Sequence, residues 1–128
     1  MVIKNAFYNK KVLITGHTGF KGSWLTAWLK HLGAKITGIS LEPPSIPSHF
    51  EAAKLNLDIN DLRIDVRDKL AIEQAICEFQ PDFLFHLAAQ PLVRLSYDNP
   101  IETWEINVLG TLHVLEALRK LNTKTSAV

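Results

Sequence analysis

The run Gly16-His17-Thr18-Gly19-Phe20-Lys21-Gly22 holds the residues best suited to chemistry in this chain. Its G-x-x-G-x-x-G spacing follows a short apolar stretch, Val12-Leu13-Ile14-Thr15, and opens an amphipathic one. That is the setting of a phosphate-binding turn. Gly16 permits the tight turn, Gly19 lets backbone approach a pyrophosphate without a Cβ in the way, and Gly22 lets a helix pack closely on a strand. First-turn N–H groups and the helix dipole then face the anion, and Lys21 adds positive charge. The competing reading is an ordinary glycine-rich strand-to-helix turn. A Walker A loop is excluded, because Gly22 is followed by Ser23 and no G-K-[ST] closes the run.

Further residues extend this reading. Ser40 and Glu42 lie about 20 residues beyond the glycines, where a ribose-binding group belongs. Glu42 reads equally as a solvated loop charge. No Arg lies between Gly16 and Asp61, so no clamp for a 2′-phosphate is visible and NAD is favoured over NADP. Asp65 and Val66 fall where an adenine contact belongs; Asp65 reads also as a helix-start charge, with Asp68. Leu87, Ala88, Ala89 and Gln90 follow a buried strand, and the small side chains among them let a cofactor pass close to the backbone. His86 reads as a satisfied core residue. Arg94 and Ser96 sit in an expected polar loop with Tyr97, where the Arg meets a substrate diphosphate or solvent. Asn107 lies inside a helix, and a cofactor-facing hydrogen bond is one reason for it. The five His show no paired metal spacing. Cys77 reads as structural.

These residues need a scaffold, and the pattern supplies one. Short apolar strands alternate with amphipathic helices: strands at 12–15, 36–39, 62–66 and 83–87, and a possible fifth at 127–128. The first helix, 20–32, is expected to bury Trp24, Leu25, Trp28, Leu29 and Leu32, with Gly33 as its left-handed cap. Prolines at 43, 44 and 47 forbid regular structure, but Ser48 and Glu51 have capping-box spacing for a short helix near 50–55. Asp68 caps a helix whose buried face is Ile72, Ala75, Ile76 and Phe79. Asn99 and Pro100 open a helix to Leu121 that is expected to bury Ile101, Trp104, Val108, Leu112 and Leu115. The expected fold is α/β: a Rossmann-type parallel sheet of four to five strands, incomplete, with helices on both faces.

Composition narrows the class. The chain has 128 residues, 47% of them apolar, with 14 basic and 13 acidic side chains for a net charge of +1. That suits one packed domain or part of one, and no basic stripe suggests nucleic acid. The run 83–89, broken by His86, is too short for a membrane span. Residues 1–11 lack the apolar core of a secretory signal. One Cys excludes an internal disulfide and fits a reducing cytoplasm.

The stretches Gly16 to Leu25, Gly38 to Pro44, His86 to Tyr97 and Asn107 to Thr111 resemble the extended short-chain dehydrogenase/reductases, the NAD-dependent epimerase/dehydratase family. Within it, His17 with Lys21, and Gln90-Pro91-Leu92-Val93-Arg94, resemble the CDP-glucose 4,6-dehydratase branch. The resemblance runs from about Lys10 to Val128 and covers roughly the front third of a family member. It implies bound NAD, held by Gly16, Gly19 and Gly22 at the pyrophosphate, Asp65 and Val66 at the adenine, and Leu87 to Gln90 along the cofactor. It implies a lyase that oxidises C4 of a CDP-linked hexose, eliminates water across C5 and C6, and returns the hydride to C6. The product, CDP-4-keto-6-deoxyglucose, feeds deoxysugar and O-antigen synthesis. A homodimer paired through helices is also implied. The family's Tyr-x-x-x-Lys pair is absent, since Val12 follows Tyr8 and Ile101 follows Tyr97 at that spacing. No catalytic residue is therefore assigned, residues 1–128 are read as the NAD-binding portion without the C-terminal catalytic part, and the chain alone is expected to be inactive. The alternatives are another nucleotide-sugar epimerase or dehydratase, and a non-catalytic binding module.

Overall fold

The computed structural model describes residues 6–128. The sequence reading of residues 1–11 as free of a secretory core therefore lies outside the described residues up to Asn5. Five parallel strands form one sheet: β1 (Lys11–Thr15), β2 (Lys35–Ser40), β3 (Asn60–Arg63), β4 (Phe83–His86) and β5 (Ser126–Ala127). Their order is β3-β2-β1-β4-β5, so the chain works outward from β1 to one edge and then returns across it to the other. The helices are α1 (Phe20–His31), α2 (His49–Ala52), α3 (Lys69–Phe79), α4 (Val93–Asp98), α5 (Pro100–Trp104) and α6 (Gly110–Arg119). No described helix is long and apolar enough to cross a membrane.

The alternation of side chains along β1 divides the core. Val12 and Ile14 face one side, with Leu29, Leu32 and Ile36. Leu13 faces the other, with Ile39, Ile72, Ile76, Leu84, Val114 and Ala117. Thus α1 covers one face and α3 with α6 the other, the doubly wound arrangement expected of strand–helix repeats. Local signals place the elements. Gly33 (φ +84°) ends α1. The Ser48 hydroxyl accepts from the Glu51 backbone N–H, the first half of a capping box, and donates to the Glu51 carboxylate. Asp68 accepts from the Ala71 N–H to cap α3.

Four expectations need correction. The third strand runs 60–63, not 62–66, because its register is set by pairing with β2, Thr37 to Asn60 through Ser40 to Arg63. The helix after Asn99 is not continuous: Glu105–Leu109 form a π-helical turn between α5 and α6, and Asn99 makes no side-chain cap. Its expected buried stripe is the exposed one. Trp104 is 67% exposed and Leu115 54%, with Ile101, Val108 and Leu112 alongside. Gly110, Val114 and Ala117 face inward instead. Likewise on α1, Trp24 and Trp28 are exposed while Gly22, Ser23, Thr26 and Leu29 are buried.

Candidate functional site

The strands' carboxyl ends open onto a cleft of about 760 Å³. It lies where strand order reverses between β1 and β4, the usual ligand position in such sheets. The loop after β1 supplies Gly16, Thr18, Gly19, Phe20, Lys21 and Gly22. Ser40, Leu41, Glu42 and Pro44 follow β2, and Ile64, Asp65 and Val66 follow β3. Leu87, Ala88, Ala89 and Pro91 follow β4, and Ile106 closes the far wall. Leu41, Pro44, Ile64, Pro91 and Ile106 were not assigned to a site from sequence, since apolar loop residues carry no binding signal until neighbouring strands are set side by side.

The glycine loop is built for close approach. Gly16 sits at φ +76°, and a Cβ there would lie 2.7 Å from the Ala88 backbone nitrogen. A Cβ on Gly22 would enter the Gly16 carbonyl and stop 2.8 Å from His17 Cα. α1 starts at Gly19 with no side-chain cap and no acidic residue in its first turn. Its leading N–H groups therefore have no side-chain acceptor, and its dipole is uncompensated beside the cleft.

His17 departs from its expected place. Its side chain is wholly buried away from the cleft, with Nε2 2.7 Å from Asp61 Oδ1, the ring edge-on to Phe50 and packed on Gly38. The carboxylate can only accept, so Nε2 carries the proton. Nδ1 is left without a partner. Burial pushes the imidazole below its ordinary pKa, against the opposing pull of Asp61. Thr18 donates to the Leu41 carbonyl at 3.0 Å, so the 2.7 Å bond to Ser40 runs from the Ser40 hydroxyl. Ser40 can then only accept from whatever enters the cleft.

The wall after β4 hangs on an ordered chain of hydrogen bonds. Thr15 Oγ1 accepts from the Leu87 and Ala88 N–H groups, so its own proton goes to His86 Nδ1 at 2.7 Å. His86 Nε2–H donates to Thr111, and Thr111 donates to the Asn107 carbonyl. The Asn107 side chain grips Gln90: Oδ1 accepts its N–H at 2.8 Å and Nδ2 donates to its carbonyl at 3.1 Å. This corrects the expected cofactor-facing role of Asn107. The Gln90 side chain is also turned away, bonding Leu92 and Thr103. His86 is the satisfied core residue expected, its pKa lowered by burial.

Both His17 and His86 thus bind a proton less readily folded than unfolded. The unfolded chain takes up more protons as pH falls below 6.5, so stability is complete above that value and declines beneath it. The urea midpoint should fall between about pH 7.5 and about pH 5.5. A flat profile would show that both rings titrate in the folded protein as they do in the unfolded chain.

Asp65 lines the cleft, but its carboxylate is held by the Arg67 guanidinium and backbone N–H. Those bonds keep it well below the usual carboxylate range. Arg94 and Ser96 lie on α4 rather than in a loop, outside the cleft's lining; Ser96 donates to the Val93 carbonyl. No described group of His, Cys, Asp or Glu is arranged to hold a metal.

Comparison with known proteins agrees with this geometry. The GDP-mannose 4,6 dehydratase family model matches residues 13–128. A CDP-glucose 4,6-dehydratase of Salmonella typhimurium is 50% identical over 122 residues, which are 94% of this chain and 34% of that protein. A CDP-paratose 2-epimerase of Salmonella typhi is 34% identical over 92% of this chain and 35% of its own length. Among solved structures, an epimerase of Methanothermobacter thermautotrophicus superposes with TM-score 0.77 at 33% identity, over 95% of this chain and 35% of that one. A UDP-glucose 4-epimerase of Thermus thermophilus, in complex with NAD, gives 0.73 at 34% identity, over 86% and 34%. The chain spans about a third of the length of the relatives it matches.

Proposed function

We propose that this chain, which belongs to the GDP-mannose 4,6 dehydratase family, is the NAD-binding front of a nucleotide-sugar 4,6-dehydratase acting on CDP-glucose. The observation that carries the cofactor is the uncapped start of α1 at the cleft floor, where Gly16 and Gly22 leave no room for a side chain. An anionic pyrophosphate satisfies those N–H groups and the dipole together. Ser40 then accepts from the adenosine ribose, Val66 and Asp65 border the adenine, and Leu87 to Ala89 flank the rest of the cofactor. His17, Gln90 and Asn107 hold the walls in place. Bound there, NAD supplies the hydride acceptor for oxidation of the sugar.

The CDP-glucose assignment rests on the 50% identity with the Salmonella typhimurium enzyme. Arg94, three residues beyond the cleft-lining Pro91 and without a described ion pair, and Ser96 are assigned to the nucleotide sugar's side. Catalysis needs an acid–base pair that residues 1–128 do not provide, so this stretch binds and orients without turning over. The exposed row Ile101, Trp104, Val108, Leu112 and Leu115 suits a second copy of the chain in a homodimer. Free Cys77 suits a reducing cytoplasm.

Gly19→Asp tests the cofactor. A Cβ there meets only the Gly16 carbonyl, at 3.3 Å, which a shift of a few tenths of an ångström relieves, and the carboxylate repels the pyrophosphate; a cooperative melt of the variant checks its fold. Calorimetry should show NAD binding by the parent chain and at least about tenfold weaker binding by the variant. Equal affinities would overturn the assignment.

A further inference from the structure

Beyond the cleft lies a second, polar chamber of about 280 Å³. It shares Glu42 with the cleft and is lined otherwise by Pro43, Phe50, Glu51, Asn56, Asp61 and Arg63. Sequence alone did not reveal an arginine here, because Arg63 comes from the neighbouring strand. It is the register partner of Ser40 across the β2–β3 ladder. The side chain turns back over the end of β2, with its guanidinium 5.5 Å from the centre of the Phe50 ring.

That guanidinium faces two carboxylates. Its Nη1 lies 2.9 Å from Asp61 Oδ1, Nη2 donates to Asp61 Oδ2 at 3.0 Å, and Nε lies 3.2 Å from Glu42 Oε1. Nη1 also approaches the Leu41 carbonyl at 3.4 Å. With Glu51, the chamber sets three carboxylates against one guanidinium. Asp61 is committed twice, to Arg63 and to buried His17. Glu42 is the movable member, with a side chain 79% exposed.

In dinucleotide sites of this topology the end of the second strand meets the adenosine ribose, where a carboxylate suits a 2′-hydroxyl and an arginine suits a 2′-phosphate. This chain has both, paired with each other. We propose, resting on the NAD reading above, that the Glu42–Arg63–Asp61 cluster sets cofactor choice: it admits the 2′-hydroxyl of NAD and excludes the 2′-phosphate of NADP, with Glu42 masking an arginine otherwise able to bind it. A phosphate entering the chamber meets an excess of negative charge and finds its one cation taken. Removing the Glu42 charge leaves Nε–H and the second Nη2–H of Arg63 free for a bidentate phosphate contact.

The test is calorimetric titration of the 128-residue chain, Glu42→Gln and Glu42→Gln/Arg63→Gln with NAD and with NADP, each protein first shown to melt cooperatively. The parent should prefer NAD. Glu42→Gln should raise the NADP-to-NAD affinity ratio at least about tenfold, and adding Arg63→Gln should remove that gain. A ratio unchanged in Glu42→Gln, with NAD still bound by the parent, overturns this proposal and leaves the cofactor reading standing. A gain that survives Arg63→Gln overturns the arginine's part. A folded parent that binds neither dinucleotide overturns both readings.

Discussion

Gly22→Ala is expected to abolish dinucleotide binding and to lower the stability of the fold by about 3 kcal/mol, the upper end of typical overpacking costs. The added methyl has nowhere to go. It would enter the Gly16 carbonyl and crowd His17 Cα, both backbone atoms of the same turn. Backbone cannot swing aside like a side chain, so α1 must lift from β1. Lifting moves its leading N–H groups away from the cleft and loosens Leu29 from Val12 and Ile14. Urea denaturation and NAD calorimetry on the variant read the two effects. A variant as stable as its parent, with intact binding, would mean that α1 packs on β1 with slack.

Asn107→Leu is expected to cost about 2 kcal/mol and to weaken dinucleotide binding about tenfold, the unpaired groups being dearer than one lost hydrogen bond. Leucine fills nearly the same space but leaves the Gln90 N–H and carbonyl without partners. The Thr111–His86–Thr15 chain should persist, because it ends on the Asn107 backbone carbonyl. Asn107→Asp provides the graded control: it keeps an acceptor for the Gln90 N–H and loses the donor to its carbonyl. Stability should rank parent, then Asp, then Leu, by urea midpoint. Leu ranking with the parent would show that water replaces both bonds at no cost.

What the sequence reveals follows a physical division. Local signals were legible: the capping box at Ser48 and Glu51, the Asp68 cap, the turn at Gly33, and the glycine loop between strand and helix. Each depends on residues within a turn of one another. Features set by neighbours distant in the chain were not. The third strand slid to 60–63 because pairing with β2 outranks its own apolar pattern. Arg63 reached the polar chamber beside the cleft through that same pairing.

The helix faces failed for another reason. Both α1 and α6 carry two apolar stripes, and the larger residues mark the wrong one. Close approach of helix to sheet selects small residues, Gly22, Ser23 and Thr26 on α1, Gly110 and Ala117 on α6. At Gly110 a Cβ would come within 2.7 Å of Val66 Cγ2, so nothing larger fits. The tryptophans of α1 and the leucines Leu112 and Leu115 of α6 therefore lie on the side turned from the sheet, while Leu29 and Val114 still pack inward.

The π-helical turn at Glu105–Leu109 has a consequence of its own. An α-helix advances about 100° per residue, so the angular phase of every residue is fixed by the first. A wider turn accommodates one residue more and resets that phase. The two halves of this segment are thereby decoupled in rotation. Before the turn α5 buries none of its residues, whereas after it α6 turns Gly110, Val114 and Ala117 inward. The segment thus changes its relation to the sheet within the one turn that also carries Asn107.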